Sequence, residues 1–290
     1  MRFARGARSA LRTVFLALAA AAAIGAGPAR AAQCGNDPDG FENWLAAFKQ
    51  EAARAGVPGG VIEAALGDVS YDENVISHDR GQRAFHQSFE QFSHRMVNAY
   101  RVKKGRALLQ RNAAMFRVIE QRYGVPGAVL VAIWGLETDF GAGTGKFPTF
   151  SALATLAYDC RRSDQFRVEL LDALKVVQRG DLEPSQMRGA WAGEIGQTQF
   201  MPSAYLKYAV GLGGGAADLI GNAGDALAST ANFLRGHGWQ RGQGWDEGAP
   251  NFAVLLEWNK ARVYSKTIAL FADKLAGLGE DQADQPDEQQ

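Results

Sequence analysis

The sequence predicts a predominantly α fold, and three observations carry that prediction. Apolar residues recur at three- and four-residue spacings through most of the chain, these runs end at glycines, and strand-like alternation is scarce. With 290 residues and 47% hydrophobic composition, the chain is long enough to bury a large core. It shows no internal repeat and no long linker, so it reads as one globular unit of two lobes rather than two independent domains.

The first stretch is not part of that fold. "MRFARGARSALRTVFLALAAAAAIGAGPARAA" places Arg2, Arg5, Arg8 and Arg12 before an apolar run from Thr13 to Gly27, followed by a small-residue site at Ala29-Arg30-Ala31. That is the pattern of a secretory signal peptide over residues 1–31. No later segment approaches the ~20 apolar residues a membrane span needs, so the mature chain is expected to be exported and soluble. The whole sequence has 31 basic and 31 acidic side chains; the leader holds five arginines and no acids, which leaves a formal charge of −5. Five of the acids lie in the terminal "EDQADQPDEQQ", read as a disordered acidic tail over 278–290. The balanced remainder offers no footprint for nucleic acid or an anionic membrane.

The helical runs follow in order. "GFENWLAAFKQEAARAGV" (40–57) and "GRALLQRNAAMFRVIEQRYGV" (105–125) each read as a helix with a glycine stop near its end, and together they frame the first lobe. Pro126, tolerated in a first turn, opens "GAVLVAIWGLETDFG" (127–141). "SDQFRVELLDALKVVQRG" (163–180) has Ser163 or Asp164 as cap and Gly180 as stop. "GDALASTANFLRGHG" (224–238) and "KARVYSKTIALFADKLAG" (260–277) repeat the pattern. The best strand signal is "NFAVLLEW" (251–258), and it is short. Cys34 and Cys160 both follow the leader; in an exported chain an even count favours a disulfide between them, with two unpaired thiols as the alternative.

Most chemical motifs are excluded by spacing. "FGAGTGKF" has Phe140 and Phe147 where a phosphate-cradling loop needs Gly and Ser/Thr. His78, His86, His94 and His237 show no metal-ligand spacing, and no serine has glycines two residues away on both sides. What remains is a carboxylate. Glu137 lies near the C-terminal end of an otherwise apolar helix, where desolvation and the negative helix end both disfavour its ionised form. Such a carboxyl can give a proton and later take one back; a hydrogen-bonded fold staple is the competing reading. "RGAWAGEIGQTQFMPSAY" (188–205) then groups Trp191, Phe200 and Tyr205 with Gln197, Thr198, Gln199 and glycines, a mixture of stacking faces and amides that suits a sugar. A glycine-rich turn with aromatics capping the core would produce the same composition.

Taken together and in order, "AIWGLETDFG", "ALATLAYDCRR", "GAWAGEIGQTQFMPSAY", "DALASTANFLRGHGW" and "EWNKARVY" resemble the exported B-type lytic murein transglycosylases, glycoside hydrolase family 103. The resemblance covers about 41–277, so residues 32–277 are expected to be the catalytic unit, with no appended peptidoglycan-binding module. It implies a lysozyme-like α+β fold with a peptidoglycan groove between two lobes, and a periplasmic location. It also implies Glu137 as the sole acid and base. Gln199, Phe200, Met201, Tyr205, Asn259 and Tyr264 would line the groove. Trp258 and Phe233 stand where relatives often have tyrosine, so stacking is retained while a hydroxyl contact is lost.

The chain departs from the family pattern at two places. Ala190 replaces a serine common in relatives, and "GLGGGAADLIGN" puts Gly211, Gly213 and Gly215 where a calcium loop of EF-hand type would have oxygen ligands. Neither metal nor cofactor is expected. The implied reaction forms 1,6-anhydromuramyl ends with one carboxylate. A muramidase using Glu194 or Asp139 as a second carboxylate, and a non-catalytic wall-binding protein, are the alternatives.

Overall fold

The structure, a computed structural model, describes residues 33–81 and 87–278. The leader assigned to 1–31 and the acidic stretch from 279 onward lie outside the described residues, as does His86. The described part contains thirteen α-helices: α1 (Phe41–Arg54), α2 (Gly59–Leu66), α3 (Glu73–Gly81), α4 (Phe89–Met96), α5 (Ala99–Arg111), α6 (Ala113–Tyr123), α7 (Gly127–Thr138), α8 (Thr149–Tyr158), α9 (Ser163–Gln178), α10 (Pro202–Tyr208), α11 (Ala223–Gly236), α12 (Phe252–Trp258) and α13 (Arg262–Ala276). Two short strands, β1 (Phe147–Pro148) and β2 (Arg188–Gly189), pair antiparallel, with Phe147 opposite Gly189.

Several expected elements change form. The 251–258 stretch, expected as a strand, is α12: Phe252, Val254 and Leu255 bury against a neighbouring helical layer that includes α13, and tertiary packing overrides the β propensity of a short apolar run. Asn251 anchors its start, accepting from Gln240 N at 2.7 Å and donating to the carbonyls of Gln240 and Gln243 at 2.9 Å. The run over 105–125 is two helices, α5 and α6, which meet at Asn112. At α9 the cap position falls on Arg162, because the Ser163 hydroxyl instead donates to Ala157 O at 2.6 Å. Glycine stops at Gly124 and Gly277 adopt positive φ, as their role requires.

The apolar residues form two clusters. One gathers α1, α2, α8, α9 and α10; the other gathers α4 to α7 and α11 to α13. Phe233 and Trp258 pack against both, so the seam between the clusters runs past these two rings. A disulfide joins Cys34 to Cys160, flanked by Gly35 N donating to Tyr158 O at 3.0 Å and Cys160 N to Gly35 O at 3.2 Å.

Helix α7 lies within the second cluster. Eleven of its residues are buried and it packs against α5, α6, α11 and α13, which explains a helix apolar on every side. Pro126 takes the cap position one residue before it, with extended backbone. Burial of this kind outweighs the weak helix propensity of Val129, Val131 and Ile133.

Candidate active site

The end of α7 presents Glu137 to a pocket of about 350 Å³ lined by Glu137, Glu169, Glu194, Gln199, Phe200, Met201, Ser203, Ala204, Phe233, Glu257, Trp258 and Asn259. Glu137 is part-buried in the last turn of the helix. Its Oε1 accepts a hydrogen bond from Trp258 Nε1 at 3.0 Å, and the Tyr264 hydroxyl supplies a second. Burial pushes its carboxyl up to about 7 from an ordinary 4.5; the bonds from Trp258 and Tyr264 act against that rise, and the charge of Glu194 adds to it. The Tyr264 phenol is itself raised well above its usual range, first by burial and then by the Glu137 charge. A carboxyl in this state is neutral or ionised near neutral pH with little bias, which suits a group that must donate and then accept a proton.

The helix end is held by a buried network. Thr138 Oγ1 donates to Gln197 O at 2.6 Å and accepts from Gly141 N at 2.9 Å. Trp134 Nε1 donates to Gln197 Oε1 at 3.1 Å, and Gln197 Nε2 donates to Ile220 O at 3.1 Å. Gln197 thus serves as a cross-link between α7 and the 219–220 backbone rather than as a ligand group. The 188–205 stretch wraps around it. A Cβ at Gly189 would stand 1.6 Å from Glu194 O, so only glycine lets the chain double back there. Glu194 Oε2 accepts from Ala192 N at 3.2 Å, and burial raises its carboxyl. Ile195 and Phe200 then pair across a tight turn in which Gln199 has φ 56°.

Gln199, Phe200, Met201, Phe233, Trp258 and Asn259, named from the sequence, all line this pocket. Their contacts refine what each can do. Gln199 Nε2 spends its hydrogens on Thr144 O and Gly196 O, which leaves its carbonyl as the group for a ligand. Phe200 is only 2% exposed and meets Phe233 and Trp258 edge-on, so it forms the wall behind the pocket and offers no open face. Asn259 Oδ1 accepts from Ala261 N at 2.9 Å.

Three expectations are corrected. Tyr205 is 0% exposed and its hydroxyl donates to Ala217 O at 2.8 Å; it is a core residue that no ligand reaches. Tyr264 lies against Glu137 and does not line the pocket, so its partner is the carboxyl. Trp258 does more than replace a lost hydroxyl contact, since its indole N–H holds Glu137. Asp139 sits just past the helix with φ 51° and pairs with Arg101 and Lys104, which removes it as a second carboxylate. Trp191 turns toward His78, their rings near parallel at 6.4 Å.

Sequence reading missed Glu169, Ser203 and Glu257. Glu169 Oε1 accepts from the Ser203 hydroxyl at 2.7 Å and its Oε2 from Ser203 N at 2.9 Å, tying α9 to the start of α10. A glutamate in an otherwise apolar turn of α9 was the one available signal.

A helical, lysozyme-like fold with a single deeply set carboxyl in an open groove defines the class. The chain belongs to the transglycosylase SLT domain family, whose model matches residues 40–249, within the B-type lytic transglycosylases. It is 39% identical over 123 residues to membrane-bound lytic murein transglycosylase B of Escherichia coli strain K12, a match spanning 42% of this chain and 34% of that protein. The structure of SltB3 from Pseudomonas aeruginosa in complex with NAG-NAM-pentapeptide matches with TM-score 0.78 and 31% identity, over 83% of this chain and 80% of that one. The E. coli lytic transglycosylase Slt35 in complex with calcium shares the fold at TM-score 0.71 and 21% identity, over 84% of this chain and 96% of that one.

The 211–222 loop does not fit a calcium ion. Asp225 Oδ1 and Oδ2 accept from Leu212 N at 2.8 Å and Asp218 N at 3.1 Å. Asp218 Oδ1 accepts from Ile220 N and Gly221 N, and Asn222 Oδ1 from Gly224 N and Asp225 N. The available oxygens are turned onto backbone amides, whereas calcium requires six to eight converging oxygens.

Proposed function

We propose that the chain is an exported, periplasmic lytic transglycosylase of peptidoglycan whose catalytic unit spans 32–277 and whose sole acid and base is Glu137. The observation that carries this reading is the Glu137 carboxyl, raised to about 7 at the wall of an open pocket built from both sides of the seam. The glycan named in the SltB3 complex supports the substrate class. No described helix is long and apolar enough to cross a membrane, in keeping with a released protein.

Neutral Glu137 protonates the oxygen joining N-acetylmuramic acid to N-acetylglucosamine, and the bond from muramyl C1 to that oxygen breaks. The resulting carboxylate takes the proton of the C6 hydroxyl of the same sugar, whose oxygen closes onto C1. A 1,6-anhydro end forms without water, and Glu137 regains its proton. Positioning of the intramolecular nucleophile supplies what a second carboxylate would otherwise give. Met201, Phe233 and Trp258 provide the apolar face of the sugar site; Gln199 and Asn259 provide its polar edge.

Mass spectrometry of soluble muropeptides released by the mature protein and by Glu137→Gln tests this. Products lighter by one water than hydrolytic fragments, missing in the variant, are the expected result. The position of Glu194 in the same pocket favours hydrolysis as the second reading, and reducing ends would establish it. Undiminished cleavage by Glu137→Gln would overturn the assignment of the acid.

A further inference from the structure

The proposed chemistry asks one carboxyl to act twice, and the two oxygens of Glu137 are not equivalent. Oε1 faces the Trp258 indole N–H at 3.0 Å. An indole nitrogen donates and never accepts. The neutral acid has one oxygen that accepts well, its carbonyl, and one that carries the proton. A neighbour that can only donate therefore assigns the carbonyl role to Oε1.

The indole has little freedom to change this. It stands edge-on to Phe200 at 5.6 Å and 70° and to Phe233 at 5.1 Å and 84°, and it packs into both hydrophobic clusters. Turning the N–H away would break those ring contacts and leave a donor without a partner in a part-buried place. A phenol there could accept as well as donate, and would leave either oxygen free to hold the proton.

We infer that Trp258 is a positioning residue that makes Oε2 the proton-carrying oxygen of Glu137 in both half-steps. The inference deepens the proposed function and rests on it for the reaction itself. Oε2 gives its proton to the glycosidic oxygen as the bond to C1 breaks. The same oxygen then takes the C6 hydroxyl proton as O6 bonds to C1, so protons and bonds balance over the cycle. Trp258 stays on Oε1 throughout and strengthens as a donor while the carboxylate is charged.

The other groups around Glu137 are Tyr264 on α13, Glu194 from the 188–205 stretch, Glu169 on α9 and Glu257 on α12. Asp139 at the end of α7 is neutralised by Arg101 and Lys104 of α5. Of these, Tyr264 alone donates a hydrogen bond to Glu137, and Glu194 opposes its ionisation. Trp258 therefore contributes a separable share of the stabilisation of the charged form.

The test is a direct titration of the Glu137 carboxyl by carbon-13 NMR in the mature protein without substrate, assigned with Glu137→Gln. The proteins compared are wild type, Trp258→Phe, Trp258→Tyr, and a chain with β-(3-benzothienyl)alanine at position 258, which keeps the ring shape and lacks the N–H. Trp258→Phe and the benzothienyl chain are expected to raise the midpoint by about one pH unit, the size of a charge-assisted hydrogen bond. Trp258→Tyr is expected to restore part of it. The alkaline limb of the rate of anhydro-product release moves with the midpoint. An unmoved midpoint in the benzothienyl chain overturns the inference, even if thermal stability falls. Because the titration needs no turnover, appearance of reducing ends would count against the proposed function and leave the hydrogen-bond result standing.

Discussion

Replacing Glu137 by glutamine is expected to stabilise the protein at alkaline pH and not at acid pH. The folded carboxyl titrates at about 7 against 4.5 in its ordinary state. Below 4.5 it is neutral in both the folded and the unfolded chain, and the fold suffers no penalty. Between 4.5 and 7 the unfolded chain loses the proton while the folded one keeps it, so stability falls as pH rises and levels off above 7. A gap of this size corresponds to about 3 kcal/mol, near 1.4 kcal/mol per unit. Glutamine has no such penalty, and its carbonyl can still accept from Trp258 Nε1. Urea unfolding of both proteins at pH 5 and pH 8.5 reads the difference. The variant should exceed wild type by about 3 kcal/mol at the higher pH and by less than about 1 kcal/mol at the lower. An equal gap at both values would refute the argument that Glu137 is held neutral by burial.

Two further outcomes follow from other parts of the fold. Removing the disulfide, which closes a separation of 126 residues, should cost about 5 kcal/mol by the loop-entropy relation, read as a shift in urea midpoint for Cys34→Ser/Cys160→Ser; an unchanged midpoint would contradict it. Millimolar calcium should leave the melting temperature within ~1 °C, because the acids of the 211–222 loop are turned onto amides, whereas a bound ion would raise it by about 5–10 °C.

The acid was legible in the sequence because an ionisable group in an apolar helix has few innocent explanations. The helices were legible where their periodic faces were long, as in α1, α9 and α13. The 251–258 run was not, because seven apolar-rich residues satisfy either period and only packing against α13 decides. Tyr205 was misplaced for a related reason. Composition shows that an aromatic is near a motif, while the direction of its ring is set by α10 turning it onto Ala217. The Trp258 to Glu137 and Glu169 to Ser203 bonds span separations of 121 and 34 residues, and no local pattern announces such pairs. Asp139 needed the helix end itself: one residue in the left-handed region redirects it toward Arg101 and Lys104.

The bond between Trp258 and Glu137 also bears on when the protein becomes able to act. Its two partners come from helices far apart in the chain, and the rings that steady the indole come from α11 and the 188–205 stretch. A truncated or half-folded chain would hold a glutamate in an apolar helix with nothing to orient it. Competence therefore arrives with the last helices to be translated, and a protein able to sever its own cell's wall has no working fragment to release along the way.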